Sequence, residues 1–335
     1  IAIIIGVLSL GTAYLFDSRY ELKSDLYPAN VCYNIALAFQ RTAQTQHYAE
    51  TSNDFTFQAK TIRPEKNREV YVMVIGETSR AANWSIYGYN RNTNPELTKI
   101  KGLTAFSHVL TESNTTHKSV PMLMSSVTAH DFNSIYRQKG IITAFKEAGY
   151  RTAFFSNQRY NHSFIDFFGK EADICDFIKE DTGNGGYNPS DDELLKLVAA
   201  ELAENVSKQF IVLHTYGSHF NYKERYPSDM AVFRPDSLTD AKYENREYLL
   251  NAYDNTICYT DGFLASLIEM LQRTNASSAM LYTSDHGEDI FDDDRKLFLH
   301  ASPVPSYYQL HVPFLIWMSE AYRKGYPVQY EAVCM

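Results

Sequence analysis

No two cysteines in this chain are spaced as C-x-x-C. Cys32, Cys175, Cys258 and Cys334 lie far apart, which excludes a zinc knuckle and leaves no evident disulfide framework. Basic runs are missing as well. The chain has no Lys/Arg block, and 31 Lys and Arg against 40 Asp and Glu leave a net charge of −9, so nonspecific nucleic-acid binding is excluded. There is no internal repeat and no low-complexity tract, which removes solenoids and compositionally biased disorder. The first residue is not Met, and the expectation is a fragment of a longer protein. Its opening run, Ile1 to Phe16, is almost wholly apolar. A spanning helix needs about 20 such residues, so the run reads as the end of a transmembrane helix. It has neither the basic flank nor the small-residue cleavage site of a signal peptide.

The 335 residues are 44% hydrophobic and 21% charged, with 25 Tyr and 20 Phe, enough for a full core in one large or two small domains. Asp17, Arg19, Glu21 and Lys23 mark the exit from the apolar run, and Tyr14 and Tyr20 suit a membrane interface. In Pro28–Gln40, Cys32, Ile35, Ala36 and Phe39 share one helical face. That helix could lie on a membrane or pack on a soluble domain. Residues 45–67 are polar and aperiodic, a linker. The division expected is residues 1–16 as the end of the membrane helix, 17–68 as a juxtamembrane helix and linker, and 69–335 as the catalytic domain.

From Arg68 onward, strands alternate with helices. Strands are expected at Tyr71–Ile75, Thr104–Leu110, Thr152–Ser156, Phe210–Thr215, Ala279–Thr283 and His311–Trp317. Helices are expected at Ser119–Ser126, Ile141–Glu147, Asp191–Asn205 and Glu244–Leu271. Asp191 and Asp192 favour the dipole of their helix, and Asp181–Ser190 is a loop by composition. The alternation implies an α/β fold with a mostly parallel sheet covered on both faces. In such sheets ligands bind beyond the carboxyl ends of the strands.

Four polar clusters sit at such ends. The run Tyr71-Val-Met-Val-Ile-Gly76 is a buried strand that stops at Glu77-Thr-Ser-Arg80, with Gly76 free to turn sharply. Thr111 to Pro121 presents hydroxyls at a helix N-terminus, where anions including phosphate are favoured. His214 and His219 bracket a glycine turn. Asp285 and His286 stand side by side after a strand; both are good zinc ligands, and Gly287 permits close approach. His300 follows shortly after. Asp292–Lys296 reads as a solvated face. Carboxylates and imidazoles crowded at one sheet edge call for a cation, and O/N ligands without thiolate suit zinc or manganese. A metal would lower the pKa of a coordinated hydroxyl and polarise a phosphoryl oxygen. The arrangement points to group transfer through a covalent threonine.

The ordered motifs Ile-Gly-Glu77-Thr-Ser-Arg80, Thr116-x-x-Ser-Val-Pro121, His214-x-x-Gly-Ser-His219, Ser-Asp285-His286-Gly-Glu288 and Leu-His300 resemble the phosphoethanolamine transferases of the alkaline phosphatase/sulfatase superfamily. Tyr87-Gly-Tyr89, Thr93-Asn-Pro95, Tyr253-Asp-Asn-Thr256, Tyr259-Thr-Asp261 and His311-Val-Pro313 extend the match over residues 70–317. The resemblance implies an α/β/α sandwich facing the periplasm, tethered to the inner membrane. It implies one tight Zn2+ site of Glu77, Thr116, Asp285 and His286, with Thr116 the nucleophile and a second metal possible. His219 and His300 match residues that hold the phosphoryl group, a second metal or the leaving-group proton. Asn157 and His214 are further substrate-contact candidates. The donor implied is phosphatidylethanolamine, and the acceptor lipid A or another glycan. Two features depart from the family. Glu112 and Met122 stand where many members have a disulfide beside the nucleophile, and the chain stops at Met335 where the family fold usually continues. Of the neighbouring hydroxyls Ser113, Thr115 and Thr116, only spacing from Pro121 selects Thr116. Phosphoglycerol transfer, a simple phosphatase and a silent lipid- or glycan-binding domain are the alternatives. A sulfatase lacks its Cys-x-Pro-x-Arg segment here.

Overall fold

The computed structural model describes residues 6, 27–61, 68–179 and 189–334. The expected membrane-helix end at Ile1–Phe16 lies, residue 6 apart, outside the described residues, as do residues 62–67 of the expected linker and most of the loop Asp181–Ser190. Among the described residues no helix is long and apolar enough to cross a membrane. The chain divides into two units, residues 1–55 with 136–138, and residues 56–135 with 139–335.

In the first unit, helix α1 (Ala29–Gln46) runs six residues past the expected end. Its Ile35 and Phe39 are exposed. A single turn, α2 (Tyr48–Thr51), follows. The Tyr48 hydroxyl donates to the Gln138 carbonyl at 2.8 Å.

The second unit is built on a seven-stranded sheet of order β2-β9-β6-β1-β5-β3-β4. Its strands are β1 (Glu69–Gly76), β2 (Leu103–Phe106), β3 (Arg151–Ser156), β4 (Ile174–Phe177), β5 (Lys208–His214), β6 (Ser277–Ser284) and β9 (Phe314–Met318). A separate two-stranded ribbon joins β7 (Asp289–Ile290) to β8 (Phe298–Leu299). β1 pairs in parallel with both β5 and β6, and β3 is parallel to β4 and β5. Only β9 runs antiparallel, to β6 and to β2. Pro313 accounts for where β9 begins and β2 ends: it has no N–H for a ladder, so pairing starts at Phe314 opposite Phe106. Beyond that pair Leu110 makes only an isolated bridge to His311, which is why β2 is shorter than its apolar run.

Successive strand residues face opposite sides, and the two sides of β1 are covered differently. Val70, Val72 and Val74 join a core that includes Leu249, Ile257, Leu264, Leu267 and Leu271 of the 28-residue helix Arg246–Arg273 and Leu194, Val198 and Leu202 of the helix Asp192–Ala203. Tyr71, on the other side, meets Phe145 of the helix Ile141–Glu147 and Tyr322 of the helix Glu320–Gly325. The result is the α/β/α sandwich expected. The helix Phe164–Gly169 was signalled by its capping box, Ser163 with Asp166, which the periodicity reading passes over.

Candidate metal centre and active site

Register places the site. Ile75 pairs with His214 and Gly76 with Ser284, so Glu77, Thr215 and Asp285 all emerge at one edge of the sheet. Gly76 stays extended in the strand; its lack of a side chain serves close packing, since a Cβ there would come within 2.7 Å of the Tyr282 hydroxyl. The turn is made by Thr78, a left-handed residue with φ +60°, a conformation costly for a β-branched side chain and concentrated at functional sites. It is held on both sides: its N–H donates to Asp285 Oδ1 at 3.1 Å and its hydroxyl to Glu77 Oε1 at 2.7 Å. At Gly287 the close approach is of the chain itself, because a Cβ would lie 2.2 Å from the Tyr308 carbonyl.

Glu77, Asp285 and His286 are fully buried. One donor atom from each lies within 4.8 Å of the others. Thr116, the first residue of the helix Thr116–Leu123, points its hydroxyl into the same point, 3.1 and 3.2 Å from the Glu77 oxygens and 3.2 Å from His286 Nε2. Ser113 and Thr115 bond each other instead, at 3.1 Å. His286 Nδ1 faces the Gly287 carbonyl at 2.9 Å; a carbonyl only accepts, so Nδ1 carries the proton and Nε2, unprotonated, could hold a metal. Asp285 Oδ2 is buried without a hydrogen-bond partner. An orphaned buried carboxylate oxygen is costly unless something positive meets it.

The two carboxylates are driven apart in acidity. Burial would raise Glu77, but the imidazoles of His286 and His219 outweigh it and hold the group below the usual range. Asp285 is pushed well up, by burial and then by the charge of Glu77. A divalent cation at their centre would let both ionise. Two carboxylates, an imidazole nitrogen and a hydroxyl with no thiolate therefore fit a hard-to-borderline metal such as zinc.

The remaining expected residues surround this centre. His300 follows β8, between Leu299 and Ala301, which both have positive φ. Its ring lies 4.2 Å from that of His286, and Nδ1 lies 3.5 Å from Glu288 Oε2. His219 Nδ1 lies 2.5 Å from the Phe220 carbonyl, and its ring is 6.3 Å from His300. His214 is buried beside the Ser156 hydroxyl, with Nε2 unpartnered, and burial lowers its pKa to about 4 against the pull of Glu77. It lines, with Thr116, His117, Gln158 and His300, a cavity of about 340 Å³. Asn157 is differently employed. Its amide donates to the Pro189 carbonyl and to Asp191, while Asp191 accepts the N–H groups of Tyr216 and Gly217. The pair braces the loop that carries His219, and the Asp191 carboxylate goes to this loop instead of capping its own helix.

Three contacts lay beyond the reach of sequence. Gln158 donates to Glu77 Oε2 at 2.8 Å. Glu288, buried, is bonded by the Tyr222 hydroxyl and faces His300. Asp292 is no part of a solvated face: its carboxylate is buried against Arg80 at 2.5 Å and Arg246 at 2.9 Å, whereas 293–296 are exposed. Arg80 in turn donates to the Glu288 carbonyl, which ties the 285–292 segment to the end of β1. In place of a disulfide, the Thr116 loop is held by Glu112, which accepts the Ala129 N–H at 2.5 Å, and by Asn114, which donates to Ser302 and Gln309.

A sequence profile described as Sulfatase matches residues 69–333. The Kdo(2)-lipid A phosphoethanolamine 7''-transferase of Escherichia coli K12 is 31% identical over 274 residues, 80% of this chain and 47% of that protein. The chain thus spans about half the length of the curated relatives it matches. The C-terminal periplasmic domain of EcEptC from Escherichia coli, solved as a complex with Zn, superposes with a TM-score of 0.72 at 25% identity, covering 80% of this chain and 79% of that one. The integral membrane lipooligosaccharide phosphoethanolamine transferase A of Neisseria meningitidis gives a TM-score of 0.78 at 22% identity over 98% of this chain and 62% of that one, a likeness of fold. The fold is the alkaline phosphatase/sulfatase-like one.

Proposed function

This chain belongs to the sulfatase family, and from that premise we propose that it carries the catalytic domain of a zinc-dependent phosphoethanolamine transferase. It would move phosphoethanolamine from phosphatidylethanolamine, through a covalent intermediate on Thr116, to lipid A or another cell-envelope glycan. Relatives named phosphoethanolamine transferases and a neighbour solved with Zn support the reading. The observation that carries it is the Thr116 hydroxyl at the head of its helix, within 3.2 Å of both Glu77 and His286. The ligands proposed are Glu77, Thr116, Asp285 and His286. Zinc held there would acidify the threonine hydroxyl and polarise a phosphoryl oxygen.

In the first half-reaction Thr116 Oγ1, its proton already lost to solvent and its alkoxide regenerated at the end of the cycle, attacks phosphorus in line and the bond to the diacylglycerol oxygen breaks. His300 Nε2 gives that oxygen its proton, with Glu288 behind Nδ1 to steady the ring. His219 and the positive end of the Thr116 helix offset charge on the phosphoryl oxygens. In the second half-reaction an acceptor oxygen attacks the same phosphorus, loses its proton to His300, and releases Thr116. His214, neutral near pH 7, lines the cavity without adding charge, and Asn157 serves as a brace. The periplasmic domains among the neighbours support a catalytic unit of residues 69–335 facing the periplasm, joined through residues 17–68 to an inner-membrane anchor that includes residues 1–16.

The test is mass spectrometry of the full chain incubated with head-group-labelled phosphatidylethanolamine. A phosphoethanolamine adduct on the Thr116 peptide, lost in Thr116→Ala, is expected. An adduct that persists in Thr116→Ala overturns the nucleophile, and a phosphoglycerol adduct formed only from phosphatidylglycerol redirects the donor.

A further inference from the structure

A buried chain of two side chains stands behind His300. The Tyr222 hydroxyl donates to Glu288 Oε1, and Glu288 Oε2 faces His300 Nδ1 at 3.5 Å. Among the described residues no other hydrogen bond reaches either oxygen. Glu288 is fully buried and Tyr222 nearly so, whereas the His300 side chain is 24% exposed and lines the cavity with Thr116. From the core outward the order is hydroxyl, carboxylate, imidazole, site.

Tyr222 is itself fixed. It opens the short turn Tyr222–Glu224, and its ring meets those of Tyr253 and Phe220 edge-on, with centroids 5.1 and 5.2 Å away. A third edge contact, at 6.4 Å, is to Phe298 of β8, the strand that leads into His300. Arg80 donates to the Glu288 carbonyl at 3.0 Å. Glu288 is thus gripped at its backbone and at one carboxylate oxygen, and the other oxygen is left to address the imidazole. The ring contacts of His300, with His286 at 4.2 Å and His219 at 6.3 Å, limit its tilt but do not decide which edge points at the cavity. A half-turn about the last side-chain bond exchanges Nε2 with the carbon Cε1, and the terminal torsions of His and Glu are soft. A carboxylate only accepts, so it selects the orientation in which Nδ1–H is donated to it and Nε2 is turned to the reacting atoms.

Resting on the transferase reading, we infer that Tyr222, acting through Glu288, is a positioning residue for proton delivery to the departing diacylglycerol. As the bond from Thr116 Oγ1 to phosphorus forms, the bond from phosphorus to the diacylglycerol oxygen breaks with its electron pair on that oxygen, and the proton comes to it from His300 Nε2. Tyr222 and Glu288 give up no proton; they set where Nε2 points. The consequence is selective. A donor whose leaving group is a poor base departs without a proton and has no need of the aligned ring, whereas an alkoxide does. A residue that served the fold alone would affect both donors alike.

The test compares two donors in the full chain: phosphatidylethanolamine, which leaves as an alkoxide, and p-nitrophenyl phosphoethanolamine, which leaves as a stable phenolate. The rate of adduct formation on Thr116 is measured at saturating donor. Tyr222→Phe, which keeps the ring and its aromatic contacts, should lower the rate with the lipid roughly tenfold, with KM little changed, and leave the rate with the aryl ester within about twofold of wild type. Glu288→Gln, of the same shape, should show the same selectivity and carries the test if Tyr222→Phe does not fold. His300→Gln should show it more strongly, and adding Tyr222→Phe to it should cost little further, because the two act through one group. Equal losses with the two donors, no loss with either, or a Tyr222→Phe loss that adds in full to that of His300→Gln overturns the inference. Should wild type form no adduct with either donor, the transferase reading fails by itself. The orientation is then read without turnover, in nitrogen-15 spectra of histidine-labelled chain, from the Nδ1–H signal that His300→Gln removes: its displacement in Tyr222→Phe sustains the positioning, and an unmoved signal overturns it.

Discussion

Glu69 begins β1 and Glu77 follows its last residue, so one strand has a buried carboxylate at each end. At the first, both oxygens are answered by neutral donors: Tyr150 and Tyr326 hydroxyls each sit at 2.5 Å. At the second, Glu77 is crowded by a second carboxylate, one oxygen of which has no hydrogen bond and only His286 Nε2 nearby, at 3.3 Å. Cavity size does not tell the two ends apart. The cavity at the Glu69 end, walled by Tyr71, Phe145, Tyr150, Tyr322 and Tyr326, is the larger, at about 450 Å³ against 340 Å³. What differs is satisfaction. A carboxylate with a neutral donor on each oxygen has little call on a metal, while two carboxylates converging with a hydroxyl and an unprotonated imidazole nitrogen on one point have one.

The contrast breaks most readily at Asp285. Asp285→Asn should lower transfer on the order of 10³-fold or more, by analogy with loss of one electrostatic group at a reacting centre, and should release zinc measured by elemental analysis. Glu69→Gln should do neither. Equal losses in the two variants would end the distinction. Metal removal sharpens it thermodynamically. With the ion about a thousandfold above its Kd, binding to the folded state alone adds about 4 kcal/mol, or roughly 10 °C in Tm for a unit of this size. A chelator should therefore lower the melting temperature of wild type and leave that of Asp285→Asn where it was, and added zinc should restore the wild type.

The acid side offers a third measurement. His214 is held neutral in the folded state, with a pKa near 4 against 6.5. A depressed folded pKa means the unfolded chain binds the extra proton. The contribution is therefore whole above pH 6.5 and is lost as pH falls from 6.5 to about 4. The full shift is worth about 3 kcal/mol. Denaturation midpoints of wild type should fall more steeply across that window than those of His214→Gln; parallel slopes would show that the imidazole is not buried neutral. The smallest effect belongs to Glu69 again. Glu69→Gln keeps acceptor and shape and weakens two hydrogen bonds, so a loss of about 1 kcal/mol in denaturant unfolding is expected.

Much of the site was legible because strand ends announce themselves. The run from Tyr71 stops at Glu77, and the run before Ser284 stops at Asp285 and His286, so carboxylates and imidazole could be assigned to one sheet edge from hydropathy alone. The Thr116 helix was read three residues late at both ends, Ser119–Ser126 against Thr116–Leu123, and Pro121 sits inside it. Gln158, Glu288 and the Asp292–Arg80 pair were not legible. Each looks like an ordinary polar residue until a segment 81, 12 or 212 residues away is brought beside it. β4 was missed because Ile174–Phe177 is too short for a period to show.

The order of buried runs and polar stops, written in the chain, determined the α/β class and which residue types would meet at the edge of the sheet. Parallel register and the left-handed turn at Thr78 decided the rest: which oxygen is left without a hydrogen bond, which hydroxyl reaches Glu77, and which carboxylate faces His300. The reason is one of range. Hydropathy and turn chemistry act between neighbours in sequence and can be read there, whereas the field at a buried atom is a sum over groups that only the folded chain assembles.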